Sequence, residues 1–551
     1  MGFTLSSIEK SVEENTDSYI NRFADSVAEL LINNARGNSG VILAQFFTGF
    51  ADGVKENQQL TVKEFSRALL IAKSYAYEAL LEPKEGTILT VMTDWIYTIQ
   101  HASDTIQDFK IILDQGLKNA LQSLEKTTSQ LSVLSKAKVV DAGAQGFINI
   151  LEGIQDFIHT GEIQDVDQIE IPQVQVLDSI PFNEKYRYCT ECLISGKNLD
   201  RNLLKSQLAE LGDSIVVAGS ASKVKVHIHT DSPKKIMKIC QQSGVVSDEK
   251  ADDMLRQQFD AHGAHQDIAI VVDSGCDLPE ELLKKYNIHV VPVRLNFGSD
   301  HYVDKITISS TDFWKELDTN PHHPQTSQPT PGDFLRQYQL LSSHYKKAIS
   351  IHIPDKLSGT YQSALNAAKQ IESFPISVVD SKNASIGIGL IAIRVAEEVE
   401  RGKTHSELLE QVEQDIQNTR VFLGLTTLEY VVRGGRVPAS KKKIADLLHL
   451  NPILSFTDNG IQSVGRTYGK KNILQKFKRY VEKSIDWDQP CRIGIAHANC
   501  ESIATRWGED FGERIGKENV FVSEVGPALG VHSGPGGMVI ACQNLKGEVH
   551  D

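Results

Sequence analysis

The chain has 551 residues, 40% of them hydrophobic, enough for roughly three or four domains with cores of their own. A formal net charge of −14, with no lysine-arginine stripe standing out from the acidic background, argues against a polyanion partner, and nucleic acid is not expected. Seven irregularly spaced cysteines fit reduced thiols in a cytoplasmic protein, and no apolar run reaches the roughly 18 residues of a membrane span, so any membrane contact is expected to be peripheral.

Residues 1–155 are helical in pattern, with apolar side chains three and four apart, such as Phe65, Leu69, Ala72 and Ala76, interrupted at glycine and proline. The loop Ala35-Arg36-Gly37-Asn38-Ser39-Gly40 precedes the apolar run VILAQFFTGF. Its glycines and small polar side chains let a phosphate approach the backbone at a helix start, although a plain helix–helix turn has the same signature. Two further loops have comparable chemistry, residues 85–90 (EGTILT) and 140–146 (VDAGAQG). Asp17 and Asp25 fall on a polar helix face. Residues 156–182 are acidic, polar and punctuated by proline, and read as a linker.

A compact module is expected over 183–262, with a strand at 186–194, a helix near 203–211 and two strands within 214–233. Alternation puts His227 and His229 on one side of a strand, and Cys189 on another strand can complete a three-residue site with Cys192 as a fourth candidate. Nitrogen and thiolate donors favour zinc; a polar strand face and CxxC redox chemistry are the rival readings.

From residue 266 onward strands and helices alternate in an α/β pattern. The strands are IAIVV (268–272), VVPVRLNFG (290–298), AISIHI (348–353) and ISVVD (376–380), with helices over 333–341 and 359–372. A second α/β lobe should contain VFLGLTTL (421–428) and CRIGIAH (491–497) as strands, with the lysine run 441–443 between them as a solvated face. After AISIHI the chain turns through Leu357-Ser358-Gly359-Thr360 into an alanine-rich helix, which brings backbone N–H groups and hydroxyls together as an anion site. Thr326-Ser327-Gln328-Pro329-Thr330 mirrors it ahead of a helix that Thr330 should cap. Both turns can serve one carboxylate.

These motifs, TSQPT and LSGTYQSA, resemble those of the DegV family of fatty-acid-binding proteins. The resemblance covers roughly residues 266–551 and includes IAIVVDSGCDLP (268–279), LEYVVRGGR (428–436) and GPALGVHSGPGG (526–537). It implies that Thr326 and Ser358, separated by the family's usual 32 positions (358 − 326), hydrogen-bond a fatty acid carboxyl group. Ser327, Gly359 and Thr360 belong to the same two turns; Arg433 and His532 are candidates for the head group or its phosphate, with surface salt bridging or capping as the plainer alternative. The tail would lie in an apolar tunnel, gaining about 0.8 kcal/mol per buried CH₂.

The three N-terminal loops resemble the ATP-binding domain of the dihydroxyacetone kinase L-subunit family, and more closely the N-terminal domain of bacterial fatty acid kinases. The resemblance implies an antiparallel helical barrel that holds the nucleotide at one end, with Asn38, Ser39, Gly40 and Thr87 on the phosphate side and the Asp141 loop closing the site. The stretch YRYCTE followed by VKVHIHTD resembles the middle domain of fatty acid kinases, which implies zinc on Cys189, His227 and His229. One departure matters. The aspartate-rich, magnesium-binding segment close to PDGDTGTNM has no counterpart in MGFTLSSIEKSVEEN, where Met1 reads as that segment's final methionine. A longer native product is one expectation and a domain without its metals or kinase activity the other.

The expected fold class is multidomain: an all-α antiparallel helical barrel, a small α/β middle module and a two-lobed α/β DegV fold over 266–551. The implied activity is binding of a long-chain fatty acid and, with a complete N-terminus, its phosphorylation by ATP and Mg²⁺ to an acyl phosphate. A non-catalytic lipid carrier is the alternative. The implied partners are the fatty acid and acyltransferases of phospholipid synthesis, and a homodimer is a further expectation.

Overall fold

In helix α1 (Ile20–Asn34) the residues Ala24, Val27, Ala28, Leu31 and Ile32 form one buried stripe at helical spacing, so the segment folds by docking that face. Among the described residues five more helices have both ends defined: α2 (Gly37–Val54), α3 (Val62–Ala79), α4 (Ile88–Ala102), α5 (Phe109–Gln130) and α6 (Ala142–Thr160). Local chemistry sets their ends. Thr61 and Glu64 make a capping box at α3, Asp108 caps α5, and α6 stops at Gly161, whose φ of 73° is the left-handed conformation that closes a helix. Helix α6 therefore continues past residue 155 into the stretch read as linker. Leu43, Phe46, Ile88, Trp95 and Phe147 are part of a shared apolar core of this helical region.

The computed structural model describes residues 19–35, 37–131, 134–135, 138–161, 185–255, 266–436, 452–457, 460–467 and 472–545. Asp17 and the lysine run 441–443 lie outside them. The chain divides into two units, Met1–Leu255 and Arg256–Asp551.

The first unit also holds the middle module: β1 (Tyr188–Ser195), α7 (Arg201–Leu208), β2 (Asp213–Gly219), β3 (Lys223–Thr230), α8 (Pro233–Ser243) and β4 (Val245–Asp253). Its four strands form an antiparallel sheet in the order β2-β3-β1-β4. The two-residue alternation of strands sorts its side chains. Cys192, Ile194, Val217 and Val226 meet Leu204 of α7 and Ile236 of α8, whereas Leu193, Val216 and Ala218 pack on Val27, Leu31 and Val41 of the helical region. Helix α8 and strand β4 go beyond what the sequence pattern indicates. β4 alternates exposed polar residues with only a few buried ones, a weak signal for an edge strand.

The second unit begins with β5 (Ile268–Asp273), α9 (Glu280–Lys285), β6 (Ile288–Val291), β7 (Arg294–Phe297), β8 (Asp300–Val303), α10 (Ser310–Thr319) and β9 (Gln325–Ser327). It continues with α11 (Pro331–Ser342), β10 (Lys347–His352), α12 (Thr360–Ala368), β11 (Ile376–Asp380), α13 (Ile386–Glu400) and α14 (His405–Asn418). The remaining elements are β12 (Thr419–Gly424), α15 (Glu429–Arg433), β13 (Pro452–Thr457), β14 (Gly460–Arg466), α16 (Ile473–Ser484), β15 (Cys491–His497), α17 (Glu501–Ile515), β16 (Val520–Glu524), α18 (Pro527–Ser533) and β17 (Met538–Asn544). A four-stranded parallel sheet runs β11-β10-β5-β6, a six-stranded mixed sheet runs β14-β13-β12-β17-β15-β16, and β8-β7-β9 form a small antiparallel sheet. The single strand expected over 290–298 is two strands in different sheets. Pro292, which has no N–H for a ladder, falls between them.

Helix α13 sits between the two large sheets and is apolar nearly all round, as a helix covered on both sides must be. A Cβ at its Gly389 would lie 2.6 Å from the Leu278 side chain, so the close approach needs glycine there. Among the described residues no helix is long and apolar enough to cross a membrane.

Candidate functional site

Thr326 stands on β9, which pairs antiparallel with β7. The capping of α11 is done by Thr330, whose side chain accepts from the Asp333 N–H while Asp333 accepts from the Thr330 N–H at 2.8 Å. That leaves the Thr326 hydroxyl for another partner, and its Oγ1 lies 3.1 Å from His532 Nε2. On the other side the chain leaves β10 and turns at Pro354, whose carbonyl accepts from the Leu357 and Ser358 N–H groups at 2.8 and 3.2 Å. This turn sets Ser358 Oγ 2.8 Å from Thr360 Oγ1 at the start of α12.

Both hydroxyl-bearing turns line one cavity. Its interior is apolar, built from Leu423, Leu425, Phe456, Leu529 and Val539, and its polar rim includes Thr326, Ser358, Thr360, Arg436 and His532. The empty space enclosed by these residues is about 840 Å³, part of it open to solvent. Thr326, Leu357, Ser358 and Arg436 also border a polar vestibule that includes Ser327, Gln328, Lys356 and Gly359, so these residues stand where a greasy interior meets a wet mouth.

Electrostatics at that boundary are lopsided. Burial, reinforced by the Arg436 guanidinium and His323, pushes His532 down to about 3, so the imidazole is neutral at physiological pH. Its Nδ1 is buried without a hydrogen-bond partner, and a Cβ on Gly434 would come within 2.1 Å of that atom. The Arg436 side chain donates to the carbonyls of Leu357 at 3.3 Å and Gly434 at 2.7 Å, and burial lowers its pKa.

In the first unit, Gly37 opens α2 with a φ of 63°, a left-handed conformation that favours glycine. Gly40 is buried, and the Asn38 Oδ1 is buried without a partner. A Cβ on Gly143 would come 2.5 Å from Ser39 Oγ and 3.2 Å from Asp141 Oδ1, so the 140–146 loop lies against Ser39. Asp141 and Thr87 are both helix caps here: Asp141 Oδ1 accepts from the Ala144 N–H at 2.7 Å, and Thr87 Oγ1 accepts from the Leu89 N–H at 3.4 Å. Asp25 is exposed on α1, as its place in the sequence suggests.

Across the β1–β3 ladder Cys189 faces His229 and Glu191 faces His227. The donor atoms of Cys189, His227 and His229 lie within 4.8 Å of one another, and among the described residues this is the group of three such donors close enough to share an ion. One thiolate and two imidazoles with a fourth position open suit zinc. The His227 Nε2 is buried and unpartnered, while Nδ1 is 2.9 Å from Glu191 Oε1. Burial works against charge on Glu191, but the hydrogen bond from His227 and the Lys250 and Lys225 ammoniums outweigh it and hold the carboxyl well below its usual range.

The family model described as "Uncharacterised protein, DegV family" matches residues 267–544, half of the chain. The chain belongs to the DegV family. A model described as "DAK2 domain" matches residues 1–156, and a model of the middle domain of fatty-acid-kinase-like proteins matches residues 185–261, so all three domains stand in one polypeptide. A DegV domain-containing protein of Staphylococcus aureus (strain COL) is 30% identical over 273 residues, covering 49% of this chain and 97% of the relative. Protein DegV of Bacillus subtilis (strain 168) is 27% identical over 274 residues, 50% of this chain and 98% of the relative. Among solved structures, DegV from Bacillus subtilis, described as a fatty acid binding protein, aligns at 26% identity with a TM-score of 0.47 over 51% of this chain and 99% of that one. A DegV family protein from Thermus thermophilus aligns at 28% identity and a TM-score of 0.47, over 50% and 99%.

Within the DegV domain the cavity gathers Thr326, Ser358, Thr360 and His532, while Ser327 and Gly359 line the vestibule. Arg433 is elsewhere. It pairs with Glu429 at 2.6 Å, with both side chains more than half exposed, and lines neither space. The arginine at the cavity is Arg436, three residues on in the same RGGR motif, carried there beyond Gly435, whose φ is 71°. Sequence reading also misses Asp273, which lines the cavity and accepts from the Gly275 and Ile353 N–H groups, each at 2.9 Å. His352 Nδ1 is 3.2 Å from the same carboxylate, and the buried chain continues from His352 to Ser350 and Tyr338. A signal for it exists: Ser350 and His352 are the polar residues of AISIHI and, two apart, share one face.

Proposed function

We propose that the DegV domain binds a long-chain fatty acid, tail in the apolar cavity and carboxylate at the rim. The observation that carries this reading is that two hydroxyl-bearing turns far apart in sequence border the same apolar space with Arg436 and His532 beside them. Thr326 and Ser358 donate to the carboxylate, which would otherwise be a costly unpaired charge at the entrance of an apolar pocket. Arg436 supplies the compensating positive charge. The tail provides most of the affinity at about 0.8 kcal/mol per buried CH₂.

We further propose that the DAK2 domain and the middle domain make the chain a fatty acid kinase that uses ATP to convert the carboxylate to an acyl phosphate for acyltransferases of phospholipid synthesis. The six helices are then the antiparallel barrel that the resemblance implies, with Asn38, Ser39 and Gly40 facing the phosphates and the Thr87 and Asp141 loops beside them. Zinc on Cys189, His227 and His229 would be the metal of the middle domain. A second reading is a lipid carrier with a degenerate kinase domain.

Two measurements test these readings. Mass spectrometry of lipid co-purified with the protein should find a fatty acid, and an empty protein that also fails to bind added palmitate would sink the carrier reading. An ATP-dependent acyl phosphate assay, run on this chain and on a form carrying an aspartate-rich segment at its N-terminus, decides the kinase. Activity in either form supports it; lipid binding with no activity in both leaves the carrier.

A further inference from the structure

Glu191 is 1% exposed, lies at the heart of the middle domain's sheet, and has its Oε1 shared between two donors from different parts of the chain. One is His227 Nδ1 at 2.9 Å; the other is the backbone N–H of Gly37 at 3.0 Å, the first residue of α2 and of the GNSG loop. A carboxylate only accepts, so the bond from His227 places the ring proton on Nδ1. That leaves Nε2, buried and unpartnered, as the lone-pair nitrogen, while Cys189 Sγ lies 3.8 Å from Nδ1. The N–H of Gly37 belongs to the group that a helix leaves unsatisfied at its start and that an anion otherwise takes.

We infer that Glu191 is a positioning residue joining the Cys189–His227–His229 cluster to the loop that opens α2, so that a change at either place is felt at the other. For the cluster, Glu191 fixes the tautomer and orientation of His227, the part a carboxylate plays behind a metal-bound imidazole. For the loop, it anchors the left-handed first residue and sets where the Asn38 and Ser39 side chains stand. The apolar seam of Leu193 and Val216 against Leu31 and Val41 holds the two parts at fixed distance, so the bond acts between packed surfaces. The coupling is reciprocal. Only the ligand role of Nε2 rests on the zinc reading; the shared hydrogen bonds do not.

Hydrogen–deuterium exchange on the full chain tests it, comparing the wild type with Glu191→Ala, His227→Ala and, as a control on the same sheet, Asp253→Asn. Peptides over residues 37–45 should exchange several-fold faster in the first two variants and unchanged in the control, while peptides from α5 stay at wild-type rates and report that the fold is intact. Zinc affinity is read on the same samples by competition with a chromogenic chelator, and Glu191→Gln should weaken it roughly 10- to 100-fold. Wild-type exchange over 37–45 in His227→Ala would overturn the inference, as would zinc held equally tightly by Glu191→Gln. A wild type that binds no zinc would remove the metal reading alone, and the exchange comparison would still decide whether Glu191 joins the two places.

Discussion

Thr326 Oγ1 and His532 Nε2 lie 3.1 Å apart although 206 residues separate them in the chain, and both border the same apolar cavity. The neutral imidazole and the hydroxyl orient each other, which presets a donor at the rim before a ligand arrives. Thr326→Val keeps the shape and removes the donor. We expect it to weaken fatty acid binding roughly tenfold or more, as for a lost hydrogen bond to a charged group, with Ser358→Ala similar and the melting temperature nearly unchanged. Displacement of a fluorescent fatty acid measures it, and wild-type affinity in both variants would contradict the assignment.

The depressed pKa of His532 gives a stability prediction with a definite sign. Its folded value, about 3, lies below the ordinary 6.5, so its contribution is fully present above pH 6.5 and is lost as pH falls from there toward 3. The residue as a whole is only half-buried, which reduces the effect, and about 1–2 kcal/mol is expected at pH 4.5. His532→Gln should remove that share of the acid-side loss. Urea unfolding at pH 7 and pH 4.5 reads it, and identical pH dependence in variant and wild type would rule it out.

Gly434→Ala is expected to act through the same imidazole. The added methyl would fall 2.1 Å from His532 Nδ1, and the ring cannot yield without disturbing its contact with Thr326. Overpacking of this kind costs about 1–3 kcal/mol. Thermal unfolding should show a lowered midpoint together with weaker ligand binding, whereas Gly435→Ala, which meets no atom within 4 Å, should show only the backbone cost of its positive φ.

How much of this is legible in the sequence depends on whether a motif speaks about the backbone or about a side chain's direction. TPGD names its own cap, and Thr330 with Asp333 makes it. CRIGIAH is strand β15 residue for residue, its centre Ile493-Gly494-Ile495-Ala496 being an apolar run of the kind a buried strand shows. The His227-Ile228-His229 alternation places both imidazoles on Cys189's side of the sheet, where the structure has them. RGGR misleads by one arginine. Which of Arg433 and Arg436 faces inward depends on the conformation of two glycines, and glycine permits nearly any. Asp273 and Glu191 escape notice for a related reason: each is an acid in an apolar strand whose partners, Ile353 and Gly37, come from distant segments.

The two arginines of that motif therefore offer the most direct comparison. Arg433 forms an exposed i,i+4 pair with Glu429, an interaction worth about 0.3–0.5 kcal/mol, and borders neither the cavity nor its mouth. Arg436 borders both spaces and already spends two donors on the Leu357 and Gly434 carbonyls, which aim its charge across the rim. Arg433→Gln should leave fatty acid affinity within twofold of wild type. Arg436→Gln should lower it at least tenfold, and the loss should shrink for a fatty alcohol of the same length, which has no charge to meet. Were the two variants to bind the acid equally well, or the alcohol to suffer as much as the acid, Arg436 would be holding the turn rather than meeting the carboxylate.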